Sequence, residues 1–306
     1  MNKRILTVSS AYMCLSAEMQ CLPGGSQERE GTDYQMAPGG SGMTAALTFR
    51  AMGFDSIYCA ATGDDAYGRR IGNFLSKAGV DCRYMKSVKK AKTGLYLTLN
   101  EEDKSRRFVK FPGANAMLTR EDIEEAFMTY PDALYIQKEL SDELTVAAVS
   151  IAHEKNVPVF FQPCRKREEL QPEALGKLEM VILDADEVYS YCGTAPNEYD
   201  KFLQAAMALS SRIKAKYYVI RIPDRGTFIY DGIYYEMTGE YPSTYLDESG
   251  AKEVYGAALT AAYTGSDFNI KKAAKCAAAA YAYASSNKGD LESVPSLSDL
   301  VPFLKK

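Results

Sequence analysis

Tryptophan is missing from this 306-residue chain, and histidine occurs once, at His153. A Ser-His-Asp triad or a histidine-rich metal site would have to use that single imidazole. His153 lies near the end of a helical pattern that precedes a core strand, where a surface position is expected. General-base work therefore falls to a carboxylate. CxxC is missing too. Seven cysteines, at 14, 21, 59, 82, 164, 192 and 276, are odd in number and suggest neither a disulfide framework nor a zinc site. Reduced, mostly buried thiols in a cytoplasmic protein are the expectation. No apolar run approaches the roughly 20 residues that span a bilayer. The first residues, Met1–Ser9, hold too short an apolar stretch for a signal peptide and read as a first strand. Excess basic charge is lacking as well. Lys and Arg number 36 against 40 Asp and Glu, a net charge of -4, which argues against a nucleic-acid binder held by phosphate contacts. There is no tandem repeat, low-complexity tract or long linker.

What is present is ordinary globular material. Hydrophobic residues make up 46% and charged residues 25%, enough for one large core with a small lobe attached. Apolar runs of strand length fall at Arg4–Val8, Ser56–Ala61, Ala133–Ile136, Val157–Phe161, Met180–Leu183 and Tyr217–Ile222. Helical patterns lie between them near Gly42–Met52, Ala66–Ala78, Glu121–Tyr130, Asp142–Glu154 and Asn197–Ser211. The alternation predicts an α/β fold, doubly wound, with a mostly parallel sheet covered by helices on both faces. Residues 1–306 form one such domain.

Two stretches break the alternation. Residues 12–36 contain the turn Pro23-Gly24-Gly25-Ser26 between extended segments, and residues 83–111 contain a hairpin around Asn100–Ser105. They predict a small β-sheet standing off the main domain, either a lid over a cleft or an edge that contacts another copy. Further on, the helix Ile270–Ser285 is rich in alanine, which suits close helix packing rather than a site.

Several turns could carry chemistry. Gly39-Gly40-Ser41-Gly42 precedes a helix, where backbone can approach a ligand. Gly63-Asp64-Asp65-Ala66-Tyr67-Gly68 also opens a helix and reads as structural capping. Asn115 follows Gly113-Ala114 and either shapes that turn or contacts a ligand. The most informative run is Asp247-Glu248-Ser249-Gly250-Ala251-Lys252-Glu253, a polar turn flowing into a small-residue helix. Amides at such a helix start can hold phosphate oxygens, and Glu253 in the first turn can take a proton from an attacking hydroxyl. A plain capped helix with an early acid is the alternative.

In order and spacing these segments resemble the ribokinase-like carbohydrate kinases of the PfkB family, from Ile5 to Phe303. The resemblance implies a doubly wound domain with a β-sheet lid, ATP and Mg2+ as cofactors, and phosphoryl transfer to a hydroxyl of a sugar-like small molecule. It also implies a homodimer through the lid sheet. It assigns the catalytic turn to Gly250, Ala251, Lys252 and Glu253. The substrate side falls to Cys14, Gly39, Gly40, Thr44, Asn115, Gln162 and Arg165. The nucleotide side falls to Asp186, Glu187, Arg221, Asp224, Gly226 and Asn287, with Asp186 and Glu187 organising the metal through water.

The chain departs from the family pattern at telling places. The signature Gly-Ala-Gly-Asp reads Gly250-Ala251-Lys252-Glu253. The longer acid moves the charge by on the order of 1 Å, a shift that can cost about 10²-fold in rate. Lysine in place of glycine resists a positive φ. Cys14 stands where a sugar-binding aspartate is usual, and Thr44 where an asparagine is usual. With Asp186 in the asparagine place of the Asn-x-x-Glu motif, the glutamate position falls on Tyr189. Two readings follow: a divergent ATP-dependent kinase with Glu253 as base, or a catalytically silent relative that binds a nucleotide or metabolite as a sensor or partner protein.

Overall fold

A computed structural model describes all residues except 1, 104, 164–171, 193–198, 267–268, 288, 290, 292 and 306. The first half runs β1 (Arg4–Val8), β2 (Tyr12–Met19), β3 (Gly31–Gly39), α1 (Ser41–Ala51), β4 (Asp55–Gly63), α2 (Ala66–Lys77), β5 (Met85–Val88), β6 (Gly94–Glu101), β7 (Arg106–Phe111), α3 (Arg120–Ala126), β8 (Ala133–Gln137) and α4 (Asp142–Glu154). The second runs β9 (Val159–Gln162), β10 (Lys177–Asp184), α5 (Ala185–Cys192), α6 (Tyr199–Arg212), β11 (Lys214–Ile222), β12 (Gly226–Tyr230), β13 (Tyr235–Thr238), α7 (Ala251–Gly265), α8 (Ile270–Ser285) and α9 (Leu297–Leu304).

The main sheet has nine strands in the order β13-β12-β11-β10-β9-β8-β1-β4-β5. Its ladders are parallel from β5 to β11, and β12 and β13 are added antiparallel. Strands buried on both faces read as continuous apolar runs, which is why the sequence showed them clearly. Along β8, Leu134 and Ile136 join the core under α3, α4 and α6, while Ala133 and Tyr135 join the core under α1, α7 and α8. The alanines of α8 do what small residues do: Ala273, Ala277, Ala280 and Ala284 are fully buried, letting the helix lie close against α7.

Strand order reverses between β1 and β8. The early strands continue outward through β4 and β5, the later ones through β9 to β13. In an open α/β sheet the crevice beyond the carboxyl ends of the strands at such a switch point is where ligands bind.

The second sheet has the order β3-β2-β6-β7, with β2 and β6 parallel and the outer pairs antiparallel. This is the expected small sheet, with one correction. Met85–Val88 pairs with β4 at the edge of the main sheet and is no part of the lid. Asp65 pins the lid base to α2: it caps the helix through Gly68 N at 2.8 Å and accepts from Thr93 N at 2.8 Å and Thr93 Oγ1 at 2.6 Å. The Gly63–Gly68 segment is therefore structural, as its capping pattern implied. The helix at Ala185–Cys192 was not foreseen from sequence. No helix among the described residues is long and apolar enough to cross a membrane.

Candidate active site

Three chain ends meet at the switch point. Ser9 follows β1, Glu139 follows β8, and Ser41 opens α1 after the glycine turn. Ser9 Oγ donates to Glu139 Oε2 at 2.8 Å, and Ser41 N donates to Glu139 Oε1 at 3.4 Å. Gly40 makes this approach possible with φ 121. A Cβ there would crowd Ser10 O at 3.2 Å and face Tyr12 Cδ2 at 3.5 Å and Glu139 Oε2 at 3.9 Å. From the lid, Lys110 reaches across to the carbonyl of Glu139 at 3.4 Å and over the Tyr12 ring at 5.1 Å.

Ser41 also faces the other way. Its hydroxyl donates to Glu253 Oε1 at 3.1 Å. Glu253 lies in the first turn of α7, so the helix start and the glycine turn share one wall of the crevice. The concern that Lys252 needs a positive φ is removed. Gly250 is the left-handed residue, at φ 72, and Lys252 is already helical. The turn is anchored from below by Gln162, whose Nε2 donates to Lys252 O at 2.9 Å. Gln162 Oε1 in turn accepts from Tyr135 OH and from Gln137 Nε2, the latter at 3.1 Å.

The next strand ends carry a charge cluster. Asp184 at the end of β10 takes a bidentate pair from Arg221 at the end of β11, with Nε–Oδ1 2.9 Å and Nη2–Oδ2 2.7 Å. Both side chains are about 5% exposed. Lys252 Nζ lies 2.8 Å from Asp184 Oδ2 and 3.3 Å from Asp186 Oδ1. Burial works against the Asp184 charge, yet Arg221 and then Lys252 hold its carboxyl below the usual value. Burial likewise opposes the Lys252 charge, and Asp184 overrides it and raises the ammonium pKa. Glu187 accepts from Asp184 N at 2.9 Å, and burial, then the Asp184 charge, push it up to about 8. The Arg221 guanidinium also stacks on the Tyr281 ring at 3.9 Å. Tyr281 OH donates to Glu248 at 2.8 Å.

Asp184, rather than Asp186, terminates the strand, and Glu187 follows it by three residues and accepts from its N–H. Whether the cluster suits a protein-held magnesium ion is decided by its charge. Asp184 is already matched by Arg221 and Lys252, and Lys252 Nζ sits between Asp184 and Asp186, where a cation would stand. No group of three or more His, Cys, Asp or Glu among the described residues is arranged to hold a metal ion. These described residues do not fit a resident divalent ion.

Most of the other expected residues make structural contacts of their own. Asn115 is buried and clamps Ala11 through two bonds of 2.8 Å, to its N–H and its carbonyl, so it shapes the turn. Thr44 is buried inside α1, its carbonyl accepting from Thr48 Oγ1 at 2.8 Å. Cys14 is on the lid strand β2 and leaves room only for glycine at Gly39, where a Cβ would stand 2.6 Å from its sulfur. Asp224 accepts from Tyr245 OH at 3.0 Å beside the Arg221 corner. Gly226, at φ 107, lets the β11–β12 hairpin close against Thr238 O. Asn287 Nδ2 donates to Tyr283 O at 2.7 Å at the end of α8. Arg165 lies outside the described residues. Sequence reasoning passed over Glu139, Ser41 and Asp184. Glu139 and Asp184 each sit at a strand's carboxyl end, and that position was the available signal.

The sequence profile described as pfkB family carbohydrate kinase matches residues 2–297. A ribokinase from Bacillus subtilis is 29% identical over 54% of this chain and 57% of its own length. A ribokinase from Arabidopsis thaliana is 20% identical over 98% of this chain and 81% of its own. Among solved structures, Arabidopsis thaliana ribokinase complexed with ribose and ATP superposes with TM-score 0.90 at 19% identity, covering 100% of both chains. A putative ribokinase II from E. coli in complex with ATP and Mg2+ superposes with TM-score 0.80 at 18% identity, covering 99% of both.

Proposed function

The chain belongs to the pfkB family of carbohydrate kinases, and on that premise we propose that it transfers the γ-phosphoryl group of ATP to a hydroxyl of a sugar-like small molecule. The observation that carries the proposal is the Ser41–Glu253 bond. It sets a carboxylate of the α7 start against the glycine turn that borders the acceptor side. Glu253 takes the proton of the acceptor hydroxyl as its oxygen attacks the γ-phosphorus. ADP leaves, and the phosphate ester stays on the acceptor. First-turn amides of a helix lack intrahelical acceptors, so the start of α7 suits the developing negative charge. Glu139 orients the acceptor. Magnesium enters as the counter-ion of the nucleotide, and no step here depends on a protein-held ion.

The experiment is a phosphoryl-transfer assay of the wild type and Glu253→Gln over a broad panel of alcohols. Removing a general base costs about 10²–10⁴-fold, while ATP affinity stays within twofold. Equal turnover in the variant would refute the role of Glu253. A second reading, a silent relative that binds a nucleotide or metabolite, draws support from Lys252, which fills the acidic corner at the transfer turn. Under that reading MgATP raises the melting temperature and no alcohol in the panel is phosphorylated.

A further inference from the structure

Lys252 is held at both ends. Its backbone lies in the first turn of α7, two residues after the left-handed Gly250, and its carbonyl accepts from Gln162 Nε2 at 2.9 Å. Its ammonium lies 2.8 Å from Asp184 Oδ2 and 3.3 Å from Asp186 Oδ1. The side chain therefore runs from the start of α7 to the end of β10 and the first turn of α5. Asp184 is a fixed anchor, because Arg221 holds both of its oxygens and it is buried. The Lys252 side chain is 39% exposed and that of Asp186 58%. One face of the ammonium is thus tied to the protein, and the residue keeps open surface on the other.

A divalent ion between Asp184 and Asp186 would meet a like charge that the chain carries covalently. Magnesium also needs oxygen ligands at about 2.0–2.1 Å in near-octahedral array, and the ammonium stands in that place. Lysine is a point charge that suits phosphate. An ammonium has three donors, and Asp184 and Asp186 are its two hydrogen-bonding carboxylates among the described residues. Successive helical residues point about 100° apart. Glu253 accordingly turns to Ser41 while Lys252 turns to the strand ends. The acid and the cation flank the free amides of α7 from opposite sides.

We propose that the Lys252 ammonium is the resident cation of this corner, binding a nucleotide phosphate oxygen directly, so that nucleotide affinity does not depend on magnesium. This rests on the kinase reading for the nucleotide's place at the start of α7, and it deepens that reading by naming a phosphate-binding residue. The test is calorimetry of ATP with the purified full chain, in excess Mg2+ and in EDTA, for the wild type, Lys252→Gln and Lys252→Arg. Glutamine can still donate to Asp184, and Arg221 still pairs it, so the buried carboxylate keeps its partners. Wild-type affinity is expected to change by less than about threefold between the two conditions. Lys252→Gln should lose about tenfold or more in EDTA, the worth of a charged hydrogen bond, and Lys252→Arg should restore it. A companion titration follows Mn2+, which suits the same oxygen sites, by water-proton relaxation without nucleotide, and the wild type should show no saturable binding. A larger wild-type loss in EDTA, full affinity in Lys252→Gln or saturable Mn2+ binding overturns the proposal and leaves the kinase reading to its own assay. The two wild-type arms decide the matter even where a variant fails to fold. No ATP binding in either condition refutes the proposal and the kinase reading together. Magnesium-independent binding without transfer to any alcohol supports the role of Lys252 and counts against the kinase reading.

Discussion

Ser41 and Glu253 are 212 residues apart, and the hydroxyl of one donates to the carboxylate of the other at 3.1 Å. The bond joins the first residue of α1 to the first turn of α7. It orients the proposed base without burying it. Ser41→Ala is expected to lower kcat by about tenfold by loosening that orientation, with KM for ATP little changed. Steady-state kinetics with the acceptor found by the panel check this. A change confined to KM for ATP would place Ser41 on the nucleotide side instead.

Glu187 makes stability depend on pH. Its folded-state pKa is about 8 against an ordinary 4.5, so the folded state holds a proton that the unfolded state releases in between. The resulting stabilisation is complete below about 4.5 and is lost as pH rises through about 8. Glu187→Gln keeps a neutral side chain at every pH. Melting temperatures from pH 5 to 9 should therefore fall less steeply for the variant than for the wild type, and parallel curves would contradict the assignment.

Arg221 is the main counter-charge of Asp184, both about 5% exposed. Arg221→Met removes that partner and leaves the carboxylate with Lys252 alone. Breaking a buried pair from one side typically costs about 3–5 kcal/mol. Replacing both, as Arg221→Met with Asp184→Leu, should recover much of that. Urea denaturation of the two single variants and the double variant measures the coupling.

Gly256, one turn into α7, has no room for a side chain. A Cβ would overlap the Gln162 amide oxygen and stand 2.7 Å from Tyr135 OH. Gly256→Ala is expected to destabilise by about 1–3 kcal/mol. It should also lower activity, because Gln162 holds the carbonyl of Lys252. Stability lost with full activity would show that the anchor matters to folding alone.

Much of this architecture was legible beforehand, for physical reasons. Strands of a parallel sheet with both faces covered are apolar throughout, so Arg4–Val8 was bounded correctly by its side chains alone. Ser249–Glu253 was readable because a glycine turn entering a helix is a local pattern. Met85–Val88 was misassigned because pairing partners are set by tertiary contact, and four residues carry too little pattern to choose an edge. Glu139 was passed over because its importance comes from β1 and β8 becoming neighbours, although they are far apart in sequence. Asp184 was passed over because a polar residue closing an apolar run reads as a boundary. Its two cations come from β11 and α7, which no local window contains.

The lid is assembled from two excursions, β2–β3 and β6–β7, and its central ladder is the parallel pairing of β2 with β6. That ladder joins segments about 80 residues apart, with α1, β4, α2 and β5 threaded between them. Closing a loop of that length costs more entropy than closing the antiparallel pairs β2–β3 and β6–β7, so the parallel ladder is the least local pairing in the small sheet and a brake on the folding rate.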